Sequence, residues 1–284
     1  MNVLKTGFLL ALLTVLLVFV GQLMGGTSGA SFAFLFALAM NLGAYWFSDR
    51  MVLAMYRAKP LDESEAPQVW RAVREIASRE RMPMPKPYWI PTKTPNAFAT
   101  GRNPSHAYVA VTAGLLELMS EEELKGVLAH ELSHVKNRDT LVMTIAAAIA
   151  GAIAMLASWA RWAMIFGGSG RSRNSGGGAV QLIGLLVVAI FAPLAAMLVQ
   201  LAISRTREYG ADATGARLAG TPYGLASALE KLERVNRDYP LPNANPATAH
   251  LFIVNPLSGD AVAKLFSTHP PAQERIRRLR AMRL

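Results

Sequence analysis

In a chain of 284 residues, 52% hydrophobic and only 17% charged residues leave more apolar surface than a soluble domain of this length buries, so part of the chain faces lipid. The formal charge of +10 favours anionic partners, and the apolar excess selects membrane headgroups over nucleic acid, which is not expected as a partner. With no cysteine, disulfides and thiolate metal ligands are both excluded, and any metal must be held by His, Asp or Glu.

Two apolar stretches open the chain, Phe8 to Met24 and Ala30 to Phe47, joined by the small uncharged link "GGTSG". Each has the ~17–25 residues a helix needs to cross a bilayer core, so together they predict a transmembrane hairpin over residues 1–50. A cleaved signal peptide is the alternative for the first stretch, with Lys5 ahead of it and small residues after it. Arg50, Arg57 and Lys59 follow the second stretch, and the positive-inside rule then puts the N-terminus and the residues after 50 in the cytoplasm.

Residues 51–139 have the grammar of a soluble domain. "SEAPQVWRAVREIASRERM" places Val69, Val73, Ile76 and Ala77 on one face of an amphipathic helix, with Ser64 as its candidate N-cap. A Pro-rich region follows, with short β-prone runs at Ala97 to Thr100 and Ala107 to Thr112, which predict a small β-sheet. In "SEEEL", Ser120 and Glu123 have the spacing of a capping box and start a helix that runs through "LKGVLAHELSH".

On that helix His130 and His134 are four residues apart and share a face, so one metal ion can bind both. Glu131 stands where it can take a proton from water bound to that ion, the arrangement of the H-E-x-x-H metalloproteases. Accidental spacing is the bland alternative. Two imidazoles and a carboxylate suit zinc, whose catalytic sites keep a fourth position open for water.

Two further apolar stretches, Leu141 to Ala160 and Val180 to Ile203, predict a second hairpin over 140–203 with a flexible Gly/Ser-rich loop at 167–178. Arg161, Arg171 and Arg173 in its link run against the positive-inside rule. The final segment, 204–284, opens with "SRTREYGAD", where Glu208 and Asp212 again stand four apart. On a helix one of these carboxylates binds the metal while the other accepts a histidine N–H, unless the pair is a solvated ion-pair face. His269 in "STHPP" is a candidate donor to a developing oxyanion, with a cap or loop-packing role as the alternative. His106 and His250 have no supporting motif and read as structural or exposed, and the arginines of "QERIRRLRAMRL" read as a solvated or headgroup-facing surface.

The ordered set "PNAFATG", "HELSHVKNRD", "SRTREYGAD" and "STHPPAQERI", with the paired apolar stretches, resembles the membrane-integral zinc metalloproteases of the HtpX and CaaX prenyl endopeptidase-like family over nearly the whole chain. The resemblance implies a mainly α membrane protein, with up to four transmembrane helices and a cytoplasmic α+β zincin-like (gluzincin) protease domain. It further implies one zinc ion per subunit held by His130, His134 and Glu208, with Glu131 as general base and Asp212 as partner of a ligand histidine. The implied activity is that of an endopeptidase of the bacterial cytoplasmic membrane, multi-pass with its site on the cytoplasmic side. Such an enzyme clears misfolded or damaged membrane proteins and cleaves itself. Asn96, Ala97, Phe98 and Ala99 form an extended segment to which a substrate backbone can add as a strand, the alternative being an ordinary edge strand. The rival functions are a protease for prenylated C-termini and a catalytically silent scaffold or chaperone.

Overall fold

The computed structural model describes residues 2–145, 205–238, 253 and 270–284. The second hairpin beyond residue 145, the Gly/Ser-rich loop, His250 and His269 lie outside the described residues.

Helix α1, Asn2–Met55, is two arms separated by non-helical backbone at Gly25 and Gly26. Gly26 has φ of 58°, a left-handed conformation that costs glycine nothing. The arms fold back on each other: the Asn41 side-chain amide donates to the Leu10 carbonyl at 3.3 Å and to Thr14 Oγ1 at 2.8 Å. Among the described residues one helix, Gly25–Gly43, is long and apolar enough to cross a membrane, and only 6% of that span is buried. The second arm continues beyond this span, where Val52 and Leu53 pack with Ile90, Phe98 and Ala110 and the Tyr56 ring stands 5.2 Å from that of Phe98. Arg102, near the end of strand β3, lays its guanidinium 4.5 Å over the Trp46 ring.

The sheet comprises β1 (Lys59–Pro60), β2 (Lys86–Ile90), β3 (Ala97–Asn103) and β4 (His106–Thr112) in the order β1-β2-β4-β3. β2 and β4 are parallel, whereas β3 and β4 form an antiparallel hairpin with a register shift between Gly101 and Asn103. His106 is exposed and bonded to the Asn103 side chain in this turn, as a structural role requires. Side chains alternate across the pleat. Ala97, Ala99, Val109 and Val111 enter the main core, while Phe98 and Ala110 meet the end of α1. The sheet is therefore covered by the continuation of the apolar helix on one face and by the remaining helices on the other.

Helix α2 (Pro67–Arg79) buries Val69, Ala72, Val73, Ile76 and Ala77, the face expected from the sequence. Its N-cap is Ala66, not Ser64, because Pro67 supplies the first-turn φ and has no N–H to cap. A short helix α3 (Ala113–Leu118), unforeseen from the sequence, follows β4 directly, with Thr112 Oγ1 accepting from Leu115 N. Helix α4 (Glu121–Lys136) starts at the expected capping box of Ser120 and Glu123. It packs against α2, β3, α5 (Arg205–Ala219) and α6 (Tyr223–Asp238), so it is buried on nearly every side. Leu128 and Leu132 are fully buried, and each such side chain contributes about 1.5–3 kcal/mol. Helix α7 (Ala272–Arg280) closes the fold against α5 and α6.

Candidate metal centre

One turn of α4 sets His130 and His134 side by side, with ring centroids 4.9 Å apart and planes at 87°. What faces them is decided by α5, which approaches α4 at Gly215. A Cβ built there would stand 2.9 Å from both Cα and N of His130, so only glycine fits without a shift. Ser133 ties the same crossing, its hydroxyl 2.6 Å from the His130 carbonyl and 3.2 Å from the Ala211 carbonyl. Glu208 and Asp212 are thereby presented to the two imidazoles.

The carboxylate oxygens of Glu208 lie 3.7 Å from His130 Nε2 and 3.5 Å from His134 Nε2. His130, His134 and Glu208 are buried, and one ligand atom from each lies within 4.8 Å of the others. A tetrahedral ion with bonds of ~2.0–2.1 Å separates its ligand atoms by about 3.3 Å, so the set needs little movement to close on zinc. Each ring turns its other nitrogen to a different carboxylate: His130 Nδ1 to Asp212 at 3.0 Å and His134 Nδ1 to Asp139 at 3.3 Å. Protonated Nδ1 leaves the Nε2 lone pair facing Glu208, the tautomer a divalent cation requires.

Asp139 was not foreseen from the sequence, although it ends the stretch "HELSHVKNRD". Helix α4 stops in a Schellman turn: Asp139 N donates to the His134 carbonyl at 2.9 Å and Arg138 N to that of Val135 at 3.1 Å, with Arg138 left-handed at φ 58°. This turn folds Asp139 back onto the helix face that carries His134. Glycine is the residue that announces such a turn, and arginine stands there instead.

Glu131 accepts the Ala99 N–H at 2.9 Å. β3 is an edge strand of the sheet among the described residues, and Ala99 turns this N–H out of the ladder towards α4. Burial pushes the Glu131 carboxyl above its ordinary pKa, against the pull of both imidazoles and of the Ala99 N–H. The remaining members of the expected substrate segment divide. Ala97 lies in the core beside α4, whereas Phe98 points to the opposite face and meets α1. Asn96 is committed to structure: its N–H donates to Thr112 Oγ1, its carbonyl accepts from Thr112 N, and its Oδ1 accepts from Ile253 N.

Arg275 corrects the reading of the C-terminal arginines. Arg277, Arg278 and Arg280 are exposed, but Arg275 is 1% exposed and forms a two-point ion pair with Asp212, Nε to Oδ2 at 2.9 Å and Nη2 to Oδ1 at 2.7 Å. The helical spacing carried a signal for this, since residue 275 falls on the face of Ala272, Ile276 and Leu279, all packed in or against the core. Burial alone would raise the Asp212 carboxyl, but the Arg275 charge and hydrogen bonds and His130 hold it at about 2. For His134, burial disfavours the charged ring, yet the Asp139 hydrogen bond and the nearby Glu208 and Glu131 carboxylates raise its pKa. Arg207, lowered by burial, feels the charges of Asp139 and Glu208. Four carboxylates thus converge on two guanidinium groups and a position suited to a divalent cation.

The chain is similar to known proteins over nearly its whole length. The family model described as Peptidase family M48 matches residues 63–283. The chain is 57% identical over 280 residues to a protein named Protease HtpX homolog from Syntrophobacter fumaroxidans, covering 98% of each chain. It is 55% identical to a Protease HtpX homolog from Thermococcus kodakarensis, covering 98% of this chain and 94% of the relative. Among solved structures, S. mikatae Ste24p shares the fold with a TM-score of 0.51 and 18% identity, covering 98% of this chain. This chain spans 64% of the length of that structure.

Proposed function

The chain belongs to peptidase family M48 and is a metalloprotease, and from that premise we propose that it is a zinc endopeptidase of the cytoplasmic membrane. The observation that carries this reading is the buried His130, His134 and Glu208 set with Glu131 one residue along the same helix. The donor set fits zinc: both Nε2 atoms face one carboxylate, each Nδ1 is held by another, and a chain without cysteine offers no thiolate. When bound, zinc supplies a Lewis acid for the scissile carbonyl and lowers the pKa of water towards ~7.

The chain's own residues do the rest. Glu131 takes the proton of the attacking water and passes it to the leaving amine, a transfer worth about 10²–10⁴-fold. Asp212 and Asp139 keep both imidazoles in the tautomer that leaves Nε2 free. A substrate backbone adds beside β3, where the Ala99 N–H, now bonded to Glu131, is one donor at its outer side. His269, which precedes α7 by three residues in the chain, donates to the charge that develops on the carbonyl oxygen.

The membrane assignment rests on the outward-facing Gly25–Gly43 span and the paired apolar stretches, with up to four helices crossing and the metal centre on the cytoplasmic side. Misfolded or damaged membrane proteins are the substrates that such a position favours, and the chain itself is another.

The test is purification in detergent, metal analysis, and cleavage of casein and of a membrane protein by wild type beside Glu131→Gln. We expect one zinc per chain in both forms and a loss of at least ~100-fold in turnover for the variant. Absence of zinc, or equal cleavage by the two forms, refutes the proposal.

A further inference from the structure

A guanidinium is among the costliest groups to bury, and α7 fills its neighbouring core positions with Ile276 and Leu279. Arg275 is nevertheless as buried as they are, so its position calls for a role that an apolar side chain could not supply. Its contacts indicate which one. Asp212 Oδ1 accepts from Arg275 Nη2 at 2.7 Å and lies 3.0 Å from His130 Nδ1, so one oxygen serves both groups and cannot move without either. Nη2 also stands 3.5 and 3.4 Å from the two nitrogens of the His130 ring, where it obstructs ring rotation. The third arm, Nη1, donates to the Ile253 carbonyl at 2.8 Å, and Ile253 N donates to Asn96 Oδ1 at the foot of β3.

We propose that Arg275 is a positioning residue of the metal centre. It clamps Asp212 so that His130 keeps Nε2 turned towards Glu208, and through Ile253 and Asn96 it keys the start of β3 to that same centre. The planar fork matters as well as the charge, because two parallel N–H bonds fix the carboxylate plane where an ammonium would leave it free to rotate. Helix α7 is then a working part of the metal site, although Arg275 lies 145 residues from His130 in the chain. The inference rests on the zinc reading above.

The experiment uses the full-length protein in detergent, as wild type, Arg275→Met, Arg275→Lys, Asp212→Asn and the Asp212→Asn/Arg275→Met double variant. Zinc affinity is measured by chelator competition, and ligand geometry by the visible spectrum of the cobalt-substituted form, with circular dichroism to verify folding. Arg275→Met is expected to weaken zinc binding by about 10–100-fold and to alter the cobalt bands, with Arg275→Lys between it and wild type. In the Asp212→Asn background, Arg275→Met should cost clearly less affinity than in wild type, since much of its action runs through that carboxylate.

A purely structural arginine would lower the melting temperature and leave affinity and spectrum unchanged, which overturns the proposal. Independent, multiplying effects of the two substitutions do so as well. Should Arg275→Met fail to fold, Arg275→Lys with wild-type affinity and cobalt spectrum overturns it equally. Absence of zinc from the wild type instead refutes the zinc reading itself.

Discussion

The contact between Gly215 and the backbone of His130 makes a sharp test of how the centre is assembled. In Gly215→Ala the new Cβ would lie 2.9 Å from His130 Cα and N, where ordinary contacts are ~3.5–4.0 Å. The helices must therefore part by roughly 0.6–1.1 Å. Metal constellations tolerate about 0.5 Å of misplacement, so Glu208 and Asp212 leave the productive geometry. Two energies oppose each other in stability: overpacking costs about 1–3 kcal/mol, and alanine gains about 1 kcal/mol over glycine inside a helix. The expected net is a loss of ~0–2 kcal/mol by this balance, together with a fall in zinc affinity of at least ~10-fold. Gly210→Ala on the same helix is the control, because among the described residues nothing lies within 4 Å of its Cβ and only the propensity gain should remain. The assay pairs thermal unfolding with zinc competition. If Gly215→Ala matches Gly210→Ala in both, the close helix crossing does not set the metal geometry.

Three other perturbations address separate parts of the argument. Asp139→Ala removes the partner of His134 Nδ1 and should weaken zinc binding by about 10–100-fold while leaving the capping box and sheet intact; unchanged affinity would remove Asp139 from the site. Chelation leaves Glu131, Asp139, Glu208 and Asp212 crowded without a divalent cation, so the melting temperature should rise with free zinc, by about 2.7 kcal/mol of stability at 100 times Kd; a midpoint indifferent to zinc counts against the site. Glu123 is buried, and although burial raises its pKa, Lys231, Ser227 and Ser120 hold it at about 2, below its ordinary 4.5. A depressed carboxylate stabilises the fold above about pH 4.5 and loses that contribution as pH falls through about 2. Glu123→Gln should therefore lose on the order of 3 kcal/mol at neutral pH, with the gap to wild type closing between those values; a constant gap in acid titrations of unfolding would exclude this linkage.

Much could be read from the sequence because it depends on neighbours along the chain. The capping box of Ser120 and Glu123 and the four-residue spacing of His130 and His134 are local, since the helical repeat carries both rings to one face whatever surrounds them. The same repeat linked Glu208 to Asp212, and apolar length with a glycine link foretold the two arms of α1. Which imidazole each carboxylate would serve was not local information. Asp139 reaches His134 only because Arg138 adopts a left-handed backbone that its residue type does not announce. Arg275 resembled its solvated neighbours in composition, and only the packing of Ile276 and Leu279 turns it inward. The bonds that join Asn96 to Thr112 and Ile253, 16 and 157 residues away, were likewise not local information.

The sequence by itself determined the candidate ligand types, their pairing within each helix and the chemistry open to them. The tertiary structure alone decided the meeting of α4, α5 and α7. That meeting depends on long-range burial and on close approaches such as that at Gly215, whereas spacing within a helix follows from covalent geometry and one repeating hydrogen bond.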